Sequence, residues 1–291
     1  MLICPPASII LVAAPMKSVT LRYKYVPGQT RRYRLHTRMD TILLQVGHQA
    51  QPALAVTIDL VIRQTVQNVR ASDGAATSIG QVEEFHVFSN GKETSLPYPS
   101  SVQMKRPYTV VSLPSGKVLS VQLSAPLPGL STLYPGKEFS GPSVTFPSHP
   151  VKVGDSWAGT TAAATGPILR LTNTLTGFDT TNGVLHAIIQ QKTIGAIKRP
   201  MSPGISEPAG LTGTVTGEGT LVFDVISGAI SRLAVVSKVD MKITPVRPKI
   251  GVALGDVLKV ADHLPSTTME QKTQVTMTSI EDTPSQPTPM P

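Results

Sequence analysis

The sequence predicts an all-β protein, an antiparallel, hairpin-rich curved sheet or open barrel made of two related halves. Three observations carry that prediction. Long stretches place an apolar residue at every second position, the period of a strand with one buried and one wet face. Glycine turn dipeptides punctuate those stretches, and helical periodicity occurs in one place only. Composition agrees with this. Aromatic residues make up 4% and charged residues 15% of the 291, so a core would be aliphatic and the exposed faces rich in Thr, Ser and Gln. Alternation alone leaves open whether there is one barrel or two smaller packed sheets, because both give the same pattern.

The elements follow in order. Residues 1–17 form an apolar segment, "MLICPPASIILVAAP" and then Met16-Lys17. It is shorter than the ~20 apolar residues of a membrane-spanning helix. It reads as a degenerate secretory signal with Val12-Ala13-Ala14 as the small-residue cleavage site. The expected location is therefore exported or periplasmic. Pro5 and Pro6 interrupt the run and no basic residue precedes it, so Met16 as the true start, and with it a cytoplasmic chain, stays open. Cys4 is the only cysteine, which leaves no intrachain disulfide and no cysteine-rich metal site.

Residues 18–124 make the first β half. In "LAVTIDLVIRQTV" Leu54, Val56, Ile58, Leu60 and Ile62 face one way, while Thr57, Asp59 and Arg63 face the other. Asp73-Gly74 and Asn182-Gly183 carry the chemistry of two-residue hairpins, in which both central residues adopt positive φ. Asn90-Gly91, Ser115-Gly116 and Ser227-Gly228 are further turn signals. Residues 125–150 are a Pro-rich connection, and 151–282 make the second half. There Leu169, Leu171 and Leu175 oppose Arg170, Thr172, Thr174 and Thr176. Leu233, Val235, Val239, Met241 and Ile243 oppose Arg232, Lys238, Asp240 and Lys242.

The halves share a grammar. Gly74 and Gly116 in the first answer to Gly183 and Gly228 in the second, and "YVPGQTRRY" opens one half as "VKVGDSW" opens the other. Residues 198–210 read as a surface loop. In "IGVALGDVLKVADHLP" Ile250, Ala253, Leu254, Val257, Leu258, Ala261 and Leu264 form one apolar stripe, which predicts a short covering helix near 250–264. The tail, 283–291, has nothing to bury and is expected to be disordered.

Chemistry is sparse in the chain. Gly154-Asp155-Ser156-Trp157 holds the only tryptophan. A serine nucleophile there would need a strand-to-helix elbow or glycines forming an oxyanion hole, and Trp157-Ala158 follow instead. The structural expectation is that Gly154 makes the turn, Asp155 binds nearby backbone N–H groups and Trp157 plugs the core. A hydrolase would need at least two of His86, His149, His186, Asp155 and Ser156 to converge. The six histidines show no short ligand spacing. Glu83 and Glu84, being adjacent, are expected on opposite faces. The reading is therefore no catalytic residue, no metal and no cofactor. The net charge of +8 comes from scattered groups, among them Arg32, Arg34 and Arg38 on one strand face. No nucleic-acid motif accompanies them, so they read as a solvated face, with a phosphate or anionic-lipid surface as the alternative.

Three blocks carry a resemblance: Tyr23 to Gly28; Pro147 to Trp157, where the Val-x-x-Gly-Asp-x-Trp part of a Pro-x-x-Val-x-x-Gly-Asp-x-Trp block stands at Val151 to Trp157; and Gly219 to Gly228. Together they resemble an uncharacterised family of bacterial exported all-β proteins, a domain of unknown function. The resemblance implies a β scaffold without a known activity. In architecture alone, a curved sheet with an apolar hollow is similar to periplasmic lipoprotein-carrier proteins. Three functions stand as expectations. The first is a non-catalytic cell-envelope scaffold that binds an apolar or amphipathic, lipid-like ligand in the hollow. The others are a protein–protein interaction module of the envelope and a hydrolase.

Overall fold

Strands with one apolar face pair antiparallel and bury that face together, and this chain does so on a large scale. A computed structural model describes residues 18–45, 54–94, 105–123, 144–162, 168–200, 210–244 and 267–280. Among these residues there is no helix. The strands are β1 (Thr30–Gln45), β2 (Leu54–Val69), β3 (Ala76–Ser89), β4 (Lys92–Glu93), β5 (Tyr108–Ser112) and β6 (Val118–Leu123). In the second half they are β7 (Ser156–Ala162), β8 (Ile168–Thr181), β9 (Val184–Pro200), β10 (Gly210–Asp224), β11 (Ala229–Thr244) and β12 (Thr267–Ile280). All belong to one antiparallel sheet ordered β6-β5-β3-β2-β1-β12-β11-β10-β9-β8-β7, with β4 beside β3. The halves are therefore two meanders joined along β1 and β12, and β6 and β7 are the open edges.

The sheet curves around its apolar face. Flat, β1 and β7 would lie six strand spacings apart, about 29 Å. Yet Tyr33 of β1 and Trp157 of β7 belong to one buried cluster, with Leu175, Ile189, Leu221 and Met277 between them. Register makes this possible. Leu175, Ile189, Leu221, Leu233, Met277, Leu35 and Leu60 are consecutive cross-strand partners from β8 to β2. The period-two reading of the faces holds along these strands.

Two short segments fill the lower end of the curve, where the turns after β2, β8 and β10 lie. Residues 18–27 and 144–153 meet at an antiparallel bridge between Val19 and Val151. They bury Leu21, Tyr23, Val144, Phe146 and Val151. Tyr23 is the hub: its ring lies 5.3 Å from Phe146 and 5.5 Å from Phe223, and its hydroxyl accepts a bond from the Val144 N–H at 3.0 Å. Each segment also bonds to a turn of the opposite half. The Lys24 N–H donates to the Gly228 carbonyl, and the Phe146 N–H to the Ser115 carbonyl.

The turns correct one expectation. Asn182-Gly183 and Asn90-Gly91 are the two-residue hairpins, with φ of 52° and 77° and of 49° and 79°. Asp73-Gly74 is not one: only Gly74 has positive φ, and the Gly74 N–H bonds the Arg70 carbonyl while the Arg70 N–H bonds that of Ala75. Asp73 sits inside this four-residue loop as an acceptor, held by Arg70 at 2.6 Å and by the Ala75 N–H at 3.1 Å. The loop expected over 198–210 is also shorter, because β9 runs to Pro200 and β10 starts at Gly210. The helix expected over 250–264 lies outside the described residues.

Candidate functional site

Gly154-Asp155-Ser156-Trp157 opens β7. Gly154 has φ of 94°, and the Asp155 carboxylate accepts the Lys152 N–H at 3.0 Å. Trp157 is buried and donates its indole N–H to the Thr145 carbonyl at 2.8 Å. The hydroxyl of Ser156 pairs with that of Thr174 at 2.8 Å. The other opening is built alike. The Gly28 N–H bonds the Val66 carbonyl and Val66 N–H the Gln29 carbonyl, as Gly154 and Asp155 do with Leu175.

The histidines are dispersed. His36 bonds Asp59 at 2.6 Å and His86 bonds Glu93 at 2.8 Å, while His186 lies between Asp179 and Asp224 in register. Asp224 is occupied as a turn acceptor. Burial opposes its ionisation, but bonds from Ser227 and the Ile226 N–H outweigh this and hold its carboxyl below the ordinary range. His149 is exposed on the segment before β7. Among the described residues no group of three or more His, Cys, Asp or Glu is placed to hold a metal ion, and no helix is long and apolar enough to cross a membrane.

The outer face carries the charge. Arg32, Arg34 and Arg38 project there from β1, in the phase opposite to Tyr33 and Leu35. Glu83 and Glu84 share this face, contrary to expectation. The register shifts between Val61 and Ile62, and such a bulge sets two successive residues against one. Glu84 thus pairs with Val61, the cross-strand partner of Arg34. Glu83 meets Arg32 at 2.8 Å and Arg63 at 3.4 Å. Farther along, β9 to β12 form a depression of about 600 Å³. Its sides hold Ile194 and Val236, 66% and 47% exposed, among Lys192, Lys238, Lys272 and Glu270.

The inner face carries little of it. From Tyr33 toward the upper end, where β1 ends and β2 begins, Arg199, opposite Leu211 near the end of β9, is the one Asp, Glu, Lys, Arg or His at an inward position described on β1–β3 or β8–β12. Packing changes along that face. At the lower end Leu175, Ile189, Leu221, Phe223 and Met277 show no exposure. Burial there pushes the Tyr23, Tyr33 and Tyr108 hydroxyls well above the ordinary phenol range. It also lifts Tyr25 to about 12, against a bond with Ser112. One row higher, polar residues enter: Asn173 faces Trp157 on one side and Gln191 on the other, with Thr193, Ser237 and Thr273 in the next row. Above the core Met39, Val56, Ile58, Val239 and Met241 are half-buried, and Leu54 is 48% exposed.

Asn173 is the residue that sequence reasoning missed. It is 1% exposed, its Oδ1 accepts from Gln191 Nε2 at 3.1 Å, and its Nδ2 has no partner. The signal was present as an Asn in the inward phase of "LRLTNTLTGF". No protein-family model matches the chain, and no curated protein matches it.

Proposed function

We propose that the protein is a β scaffold of the cell envelope that holds an apolar or amphipathic ligand against the upper inner face of its sheet, without transforming it. The single observation that carries this reading is the inner face itself, whose aliphatic residues go from fully buried to half-buried along the same strands, with Arg199 near its upper rim as the one described charge above Tyr33. Apolar surface left accessible beside a closed core is free energy available for binding, roughly 25 cal/mol per Å² covered. The Gly154–Trp157 stretch serves the fold in this reading, since the Asp155 carboxylate and the Ser156 hydroxyl are engaged by Lys152 and Thr174. The test is mass spectrometry of organic extracts from the purified full chain. Lipid in near-stoichiometric amount supports the reading. Protein that purifies without lipid and does not take up a solvatochromic apolar dye refutes it.

A second reading, a protein–protein module of the envelope, rests on the outer depression with its exposed Ile194 and Val236. Cross-linking from Ile194→Cys to a single envelope protein would favour it.

A further inference from the structure

We propose that Met39, Met241 and Met269 are oxidation sites of the inner face, and that their conversion to sulfoxides by a two-electron oxygen donor such as hydrogen peroxide releases the apolar ligand. The inference rests on the proposed function and adds a regulation of the same face. All three methionines stand at inward positions above the core and are half-buried. Met241 and Met269 are cross-strand partners, and Met39 lies between Val56 and Thr273 in register. Met277, on the same strand as Met269, is the contrasting case: inward, partnered by Leu35 and Leu233, and without exposure. Oxidation follows access to the sulfur, so it should take the first three and spare the fourth.

Strand β10 adds no side chain beside the pair. The partner of Met241 there is Gly213, with Gly217 below it on the same face. Met241 Cγ lies so near Gly213 that a Cβ at the glycine would come within 3.0 Å of it. The Met241 side chain thus lies against bare backbone. The step is an oxygen transfer. The sulfur lone pair attacks one peroxide oxygen and the O–O bond breaks; the second oxygen takes up the proton of the first and leaves as water. Sulfur is oxidised by two electrons and the peroxide is reduced by two. A flexible apolar side chain becomes a polar one with an acceptor oxygen. An apolar ligand covering that oxygen would strip it of water, which opposes binding.

The experiment treats the full chain with hydrogen peroxide and follows each methionine by peptide mass spectrometry, with Nile red affinity measured before and after. Met39, Met241 and Met269 are expected to oxidise about tenfold or more faster than Met277. Dye affinity is expected to fall about tenfold as they do, the scale of covering one polar group without a partner. Treatment with the methionine sulfoxide reductases for both epimers should restore mass and affinity together. The triple variant Met39→Leu, Met241→Leu, Met269→Leu should keep through peroxide whatever affinity it starts with. Met241→Leu with Met269→Leu should keep part of its own, a second background should the triple variant not fold. Met277 oxidised as fast as the other three in the folded chain overturns the inference. So does unchanged dye affinity once the three sulfoxides have formed, or an equal loss in the triple variant; each leaves the proposed function standing. Wild type that binds no dye before peroxide removes both.

Discussion

Leu221 and Leu54 occupy the same kind of position, inward on a long strand of one sheet, yet the first has no exposure and the second is 48% exposed. Leu221 lies where residues 18–27 and 144–153 fold back into the curve, so it packs on all sides. Leu54 lies at the upper end of β2. Sheet pairing is equally continuous at both ends, with unbroken registers from β12 to β1 and from β1 to β2. Hydrogen bonding therefore does not distinguish the two ends; side-chain coverage does. Secondary structure and core packing are separable here, and one continuous sheet supports a closed core below and an accessible surface above.

Mutations at matched inward positions should break or sharpen that contrast. Phe223→Ala opens a void at the centre of the Tyr23–Phe146–Phe223 group and should cost about 3–5 kcal/mol in urea unfolding. Met39→Ala, on the upper face, should cost less than about 1 kcal/mol by the same measurement, since its surroundings can relax and water can enter. Equal costs would show that the upper face is packed like the lower.

Turns at the lower end give a second, smaller contrast. A Cβ at Gly116 would lie 2.2 Å from the Val144 carbonyl and 2.6 Å from the Tyr23 ring, while one at Gly183 meets nothing within 4 Å. Both glycines have positive φ. Gly183→Ala should lose only the conformational term, about 1–2 kcal/mol. Gly116→Ala should lose more, because the segment at 144–146 must move.

Alkaline titration addresses the lower core alone. The buried tyrosines have raised folded-state values, so their contribution is complete below the unfolded value near 10 and declines as pH rises through the folded values. Stability should fall by up to about 1.4 kcal/mol per tyrosine for each pH unit above 10. A urea midpoint unchanged between pH 9 and 11 would contradict that. At acid pH the effect is smallest. Asp73 is held at about 2 by Arg70 and by the Ala75 N–H. The stability it adds is present above the unfolded carboxylate value and should be lost as pH falls toward 2, a loss that Arg70→Ala reduces, since the Ala75 N–H bond remains.

Most of the fold was legible in the sequence because strand period and turn chemistry are local. Leu54 to Ile62 and Leu233 to Met241 could be assigned to one face from spacing alone. Bulges were not legible, because nothing local announces a shift of register. The bulge at Val61 set Glu83 beside Arg63, and the one between Leu175 and Gly177 set Phe178, half-buried, against the core next to Ala187. The Asp73 loop was misread because an Asp-Gly pair suits both a two-residue hairpin and the end of a longer turn. Residues 18–27 and 144–153 gave no hint of filling the curve, since partners such as Val151 for Val19, Gly228 for Lys24 and Ser115 for Phe146 lie far outside any local pattern. Asn173 was hidden by its neighbours: among Thr172, Thr174 and Thr176 it looks like one more surface residue. Its phase with Leu171 and Leu175 was the one clue, and the register across from Trp157 and Gln191 confirms that it points inward.

The most direct test of the contrast between the two ends is a Nile red titration of wild type, Met39→Glu and Thr216→Glu, with folding checked by circular dichroism. Met39 is inward on the upper face and Thr216 is outward on β10. Wild type and Thr216→Glu should bind the dye with the same affinity and a blue-shifted emission, and Met39→Glu should lose binding while retaining its strand signal. Unaltered binding by Met39→Glu, or binding lost only with Thr216→Glu, would contradict the assignment of the ligand to the inner face.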